Sequence, residues 1–138
     1  MAVIRPGQRC PCGSGQGAAR CCLPALRGRR WPETAEALMR SRYTAFAVGD
    51  LGWLERTHDP ATRGDFDAED VRQWNAGNRW ISLTILGTEA GGVGDDAGRV
   101  RFEALFRRAD GEHSLREDSA FRRVDGRWVY VDGEALPG

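Results

Sequence analysis

Four cysteines, Cys10, Cys12, Cys21 and Cys22, fall within the 13-residue run CPCGSGQGAARCC, and no other position carries one. Zinc takes four ligands in a tetrahedron, and thiolate sulfur is among its best protein ligands. A C-x-C pair reaches one ion only if the chain between its sulfurs bends, and Pro11 and Gly13 suit that bend. Gly13, Ser14, Gly15 and Gly17 let the backbone reverse tightly and aim N–H groups at the sulfurs. Four sulfur ligands leave no open position for water, so the spacing predicts a structural zinc rather than a catalytic one. The alternatives are disulfides or four unrelated thiols. Cys21 and Cys22 could bridge each other only through a strained ring, and a Cys10–Cys12 loop is nearly as tight. Cross-pairing between the two halves is geometrically possible, but a reducing compartment disfavours it.

A second, thinner constellation lies near the C-terminal end. Within HSLREDSAFRRV, strand alternation puts Leu115, Glu117, Ser119 and Phe121 on one face. Leu115 and Phe121 belong in a core, which carries Glu117 and Ser119 inward. A buried glutamate needs a partner, and Arg42 or Tyr43 can supply one. As an enzyme, Glu117 would have a raised pKa and serve as general acid or base, with Tyr43 or His58 assisting. The plainer reading is favoured: a Glu117–Arg42 ion pair, or a Glu117–Tyr43 hydrogen bond, fixes helix against sheet. No catalytic residue is assigned.

These residues need elements to hold them. TAEALMRSRYTAFAVG reads as a helix, with Thr34 as N-cap, Gly49 at the C′ position and an apolar stripe from Ala35 to Ala47. Asp50 caps a shorter helix, LGWLERTH, stopped by Asp59-Pro60, and a third helix spans residues 67–76. From residue 79 the period switches to two. RWISLTIL, RVRFEALFR, HSLREDSAFRRV and RWVYV read as strands, separated by a glycine-rich loop over 88–98 and by turns at Asp110-Gly111 and Asp125-Gly126. Residues 1–30 show neither period and need another source of order, which a metal supplies. The expected organisation is a zinc-binding arm, 1–30, followed by an α+β domain, 31–138, of helices packed on a four-stranded antiparallel sheet.

Hydrophobic residues make up 41% and charged residues 29% of the 138 positions, normal for a globular domain. No apolar run is long enough for a membrane span, and MAVIRPGQRC lacks the apolar core of a secretory signal. A cytoplasmic protein with reduced thiols is therefore expected. All 20 basic side chains are arginine, which excludes lysine chemistry such as Schiff bases. Six of them (Arg5, Arg9, Arg20, Arg27, Arg29 and Arg30) lie in residues 1–30, which contain no carboxylate side chain, so a basic arm precedes an acidic body. Trp31 either stacks on a base or peptide or anchors the arm. His113, beside a turn, is expected to face solvent.

CPCGSG followed by CC resembles the SEC-C zinc motif, best known from the tail of the SecA preprotein translocase. TAEALMRSRYTAF, THDPATR, WISLTIL and DGRWVYVDG resemble the bacterial YchJ-like proteins, over nearly the whole chain. That resemblance implies a nuclear-transport-factor-2-like (cystatin-like) cone, with helices in the curve of the sheet, and often a pocket between them. His58 would sit at the mouth of such a pocket. The family's His-Glu-Arg-Ser-Arg-Phe stretch reads Arg116-Glu117-Asp118-Ser119-Ala120-Phe121 here, so its histidine and both arginines are replaced. A second cysteine module found in some relatives has no counterpart before Gly138. The resemblance carries no assigned activity. It points to a protein-interaction or adaptor module, because SecA's tail contacts an acidic chaperone face. A small-molecule pocket or enzyme is the first alternative, and nucleic-acid binding through the basic arm the second. One short basic arm on an acidic body would hold phosphates weakly. Members of this fold often dimerise through the open sheet face, so a homodimer is also expected.

Overall fold

The computed structural model describes residues 4–137. Among them, helices α1 (Leu23–Leu26), α2 (Ala35–Val48), α3 (Leu51–Arg56) and α4 (Ala68–Ala76) precede strands β1 (Arg79–Ala90), β2 (Ala97–Arg108), β3 (Gly111–Val124) and β4 (Arg127–Ala135). The strands form one antiparallel meander in the order β1-β2-β3-β4. The α+β architecture is the one expected. The segment before residue 31 adds the short α1 and a 3₁₀ turn at Ala18–Arg20.

Local chemistry sets most boundaries. Thr34 Oγ1 accepts the Ala37 N–H at 3.0 Å, and Gly49 closes α2 in the left-handed region at φ 79°. Asp50 and Asp67 cap α3 and α4 in the same way. α3 stops at Arg56, two residues before the expected end, because the next backbone groups pair with β4. The Tyr130 N–H donates to Thr57 O at 2.7 Å, and the Asp59 N–H donates to Tyr130 O at 2.8 Å.

The sheet departs from expectation at its β1–β2 end, at the first hairpin turn and in β4, which runs on to Ala135. β1 and β2 run on through most of the 88–98 stretch, leaving only residues 91–96 as a loop. The glycines there serve a close approach. A Cβ on Gly91 would lie 2.8 Å from the Ala35 Cβ, and one on Gly98 would collide with the Gly91 backbone. The start of α2 thereby lies on the β1–β2 end, with the Ala35 N–H donating to Gly91 O at 2.9 Å. The first hairpin turns on Ala109-Asp110, with Gly111 already in β3. The second turns on Asp125-Gly126, both left-handed.

Bulges curve the sheet. The β1–β2 register shifts around Ile81 and around Leu86, and the β3–β4 register shifts at Val131 of β4. Because this last extra residue lies on β4, β3 keeps its alternation and Leu115, Glu117, Ser119 and Phe121 do face inward. Leu38 and Tyr43 of α2 pack with Val100, Phe102 and Phe121 of the sheet, beside the fully buried Trp53 and Trp128. Cys10, Cys12, Cys22 and Leu23 belong to the same core. Trp31 is an anchor: its Nε1 donates to Trp128 O at 2.9 Å and its ring lies 4.8 Å from that of Trp53. His113 is half-buried rather than exposed, stacked on Phe106 with its Nε2 2.7 Å from Asp110 Oδ1. No helix among the described residues is long and apolar enough to cross a membrane.

Candidate functional site

The cysteine segment folds back on itself before it meets α2. The Cys10 N–H donates to Gln16 O at 2.9 Å and the Ala18 N–H to Gln8 O at 2.8 Å, while Gly13 and Gly15 take φ of 78° and 87°. Cys21 and Cys22 follow the 3₁₀ turn and lead into α1. All four thiols are free, and their sulfurs lie within 4.8 Å of one another. A tetrahedral zinc with Zn–S near 2.3 Å needs sulfurs about 3.8 Å apart. Cys12 and Cys21 are 3.5 Å apart and Cys21 and Cys22 3.9 Å. The cluster therefore fits one tetrahedral ion.

The surroundings complete the fit. Arg40 Nη1 donates to Cys12 O at 2.9 Å and lies 3.8 Å from its sulfur. Thr44 Oγ1 is 3.8 Å from Cys10 Sγ, and Ser14 Oγ is 3.1 Å from Cys21 Sγ. Arg40 and Thr44 stand one turn apart on α2, so that helix is half of the site's wall. Crowding prevents four thiols from ionising together. Hydrogen bonding from Cys10 and Cys22 holds Cys12 far below the usual thiol range, while its partnership with Cys12 lifts Cys10 to about 11. A divalent cation removes that conflict, because it stabilises every thiolate at once. Cys10, Cys12 and Cys22 are buried and only Cys21 is partly exposed, as suits a closed structural centre.

The second site is a cavity of about 370 Å³ between α2, α4 and the curved sheet. Aromatic side chains, including Phe46, Phe66, Trp74 and Trp80, form its walls. Its polar groups gather at one end: Arg42 from α2, His58 after α3, Glu117 and Ser119 from β3, and Tyr130 from β4. Gly133 on β4 makes room for them. A Cβ there would collide with Glu117 Oε1 and come within 3.1 Å of both Ser119 Oγ and Tyr130 OH.

Neither partnership expected for Glu117 forms. Arg42 Nη1 donates instead to Leu54 O at 3.0 Å and Thr57 Oγ1 at 2.6 Å, and its guanidinium lies 4.5 Å from the Tyr130 ring centroid. The carbonyl at the end of α3 claims the arginine because it has no helical partner of its own. Tyr43 turns its ring towards Trp80, 5.7 Å away, and burial raises its phenol to about 12. Desolvation raises the Glu117 pKa, which the charge of Arg42 only partly offsets. Burial lowers Arg42 to about 10, which leaves it cationic at neutral pH. Burial and the nearby Arg42 lower His58, whose Nε2 lies 3.1 Å from Thr62 Oγ1. Ser119 Oγ is fully buried without a hydrogen-bond partner among the described residues. Burial thus favours the acid form of Glu117, which stands beside the Ser119 and Tyr130 hydroxyls.

All nine residues singled out in the sequence fall in one of these two sites, four cysteines in the first and Arg42, Tyr43, His58, Glu117 and Ser119 at the second. Arg40 and Thr44 escaped notice because the cysteines they serve lie more than 20 positions earlier. Tyr130 carries no signal of its own, since an aromatic in a strand suits a core or a rim equally. Gly133 did carry a signal, since a glycine inside a strand marks close approach by another group.

Known proteins show the same two parts. The family model described as YchJ, middle NTF2-like domain, matches residues 34–133, and the SEC-C motif model matches 8–24. A UPF0225 protein of Geobacter sulfurreducens is 43% identical, covering 92% of this chain and 79% of that protein. One from Streptomyces coelicolor is 44% identical over 95% of this chain and 98% of its own. The solution structure of a SEC-C motif containing protein from Rhodopseudomonas palustris superposes with a TM-score of 0.86 at 40% identity, over 94% of this chain and 100% of that one. A crystal structure of a SEC-C motif containing protein from Psychrobacter arcticus shares the fold, with a TM-score of 0.80 at 24% identity over 96% and 85%. The chain therefore belongs to the YchJ-like UPF0225 family, a middle nuclear-transport-factor-2-like domain carrying a SEC-C motif on its N-terminal side.

Proposed function

We propose that this protein binds a small, largely apolar molecule in its interior cavity, and that its cysteine cluster holds a zinc ion that fixes the N-terminal segment to α2. One observation carries the first part: the Ser119 hydroxyl, fully buried, has no protein partner and stands beside Glu117 and Tyr130 at the closed end of an aromatic-walled cavity. A purely structural polar cluster would pair its own members. Titration with 2-naphthylmethanol, followed through tryptophan fluorescence, tests this. Saturable one-to-one binding that disappears in Leu115→Trp, which fills the cavity, is expected. Absence of saturable binding, or binding indifferent to that substitution, overturns the reading. For the metal, elemental analysis should give one zinc per chain, and a different ion or none overturns that part.

A docking role for the N-terminal segment is the second reading. Arg5, Arg9, Arg20, Arg27, Arg29 and Arg30 are all exposed around the knuckle, a surface suited to an acidic protein partner. Binding to an acidic peptide, lost in Cys21→Ser and kept in Glu117→Gln, supports it. Tight, salt-sensitive binding to single-stranded RNA would transfer the role to nucleic acid.

A further inference from the structure

We infer that the cavity takes an organic monocarboxylate with a flat aromatic body, its anionic end held by Arg42, Ser119 and Tyr130; this rests on the cavity reading above. The inventory of hydrogen-bonding groups at the closed end is unbalanced. Of the three Arg42 nitrogens, only Nη1 donates to a protein group among the described residues, and it donates to two neutral oxygens. Arg42 as a residue is buried, at 6% exposure, and its guanidinium pairs with no carboxylate among those residues. Asp59, next to the cavity residue His58, is already spent on a two-pronged pair with Arg122 at 2.6 and 2.7 Å. Ser119 Oγ has no partner, and Tyr130 OH points into the same space.

A buried cation with spare donors and no bonded anion is an expensive arrangement unless something else completes it. A carboxylate completes it directly, because its two oxygens match the guanidinium fork and still accept from hydroxyls. Glu117 does not fill that place, because it makes no hydrogen bond to Arg42, whose Nη1 donates to Leu54 O and Thr57 Oγ1, and burial disfavours its charged form. A cationic ligand would meet Arg42, and an alcohol would offer the guanidinium no bonded counter-charge. The other end of the ligand meets rings. Phe46 and Trp80 lie 5.6 Å apart and Trp74 and Trp80 5.8 Å apart, edges and faces that pack a planar apolar body.

The test compares 2-naphthoate, 2-naphthamide and 2-naphthylmethanol by calorimetric titration of the full chain at neutral pH. Naphthoate should bind about tenfold tighter than the alcohol, the range of one charge-assisted contact. Arg42→Met should bring naphthoate and the alcohol to equal affinity. Ser119→Ala provides a second variant that keeps its fold, because the hydroxyl has no partner to lose, and it should weaken naphthoate severalfold with little effect on the alcohol. Equal binding of all three probes, or preference for the amide or alcohol, overturns the ligand class and leaves the cavity reading standing. A naphthoate preference that survives both substitutions also overturns it. If none of the three binds saturably, both readings fall.

Discussion

The cysteine knuckle and the interior cavity are built against opposite sides of one helix. Arg40 and Thr44 of α2 face the sulfurs, while Met39, Arg42, Tyr43 and Phe46 face the cavity. The knuckle draws its four sulfurs from 13 consecutive residues, and around a tetrahedral ion they would leave no position open. The cavity draws its polar groups from α2, the segment after α3, β3 and β4, and leaves a buried hydroxyl and a guanidinium unspent. A closed centre holds structure together. An open one is incomplete by itself, and that is what a binding site requires.

Substitutions in the closed centre should therefore only destabilise, whereas in the cavity the sign depends on whether bulk is added or an unspent polar group is removed. The largest effect belongs to Cys12→Ser, which removes a fully buried thiol and with it a ligand of the proposed zinc. Unfolding by urea should show a loss of about 4 kcal/mol or more, with zinc absent from the purified chain. A loss as small as that of a surface change would mean the knuckle is not a structural centre. Gly133→Ala comes next. Its Cβ displaces the Glu117 carboxyl into the cavity, so about 2 kcal/mol should be lost through overpacking, together with naphthoate binding.

Ser119→Ala should reverse the sign. Deleting a buried hydroxyl with no partner should stabilise the chain by about 1 kcal/mol while weakening the ligand. Glu117→Gln gives the smallest change, visible as pH dependence. Desolvation lifts the folded-state pKa of Glu117 above its ordinary 4.5, so the folded chain keeps this proton to higher pH than the unfolded chain. The stability the protonated group supports is full below 4.5 and is lost as pH rises through the folded-state value. Partial solvent screening keeps the effect below that of Ser119→Ala. Stability profiles of Glu117→Gln and the parent chain should converge at low pH and separate above that window, with the variant more stable. Coincident profiles throughout would show that Glu117 is not desolvated.

The same contrast explains what could be read from the chain. The caps at Thr34 and Asp50, the stop at Gly49 and the turn at Asp125-Gly126 depend on residues a few positions apart, and each stands where its local chemistry puts it. The cysteine cluster is local in the same sense. On β3, alternation sufficed to place Glu117 and Ser119 inside. The partner of Arg42 was out of reach, because a carbonyl left over at a helix end has no residue type to announce it. The stretch over 88–98 misled for a related reason. Glycine favours loops, and it also permits two strands and a helix to touch, a choice made by packing rather than by the glycine. The rim aromatics Trp80 and Tyr130 could equally have filled a core, and only the curvature of the sheet leaves space between them.

The bulges at Ile81 and Leu86 bear on how these chains behave in a crowd. β1 is one edge of the sheet, and both bulge residues are exposed, at 46% and 44%. A straight edge carrying such side chains would offer a second copy a ready template for strand addition. Two kinks within one strand break the regular spacing that a docking strand would need. The opposite edge is guarded differently, since Thr57 and Asp59 already occupy the backbone groups of Tyr130 on β4. The irregularities that hollow the sheet also keep its β1 border from sticking, so straightening β1 would cost solubility before it cost the fold.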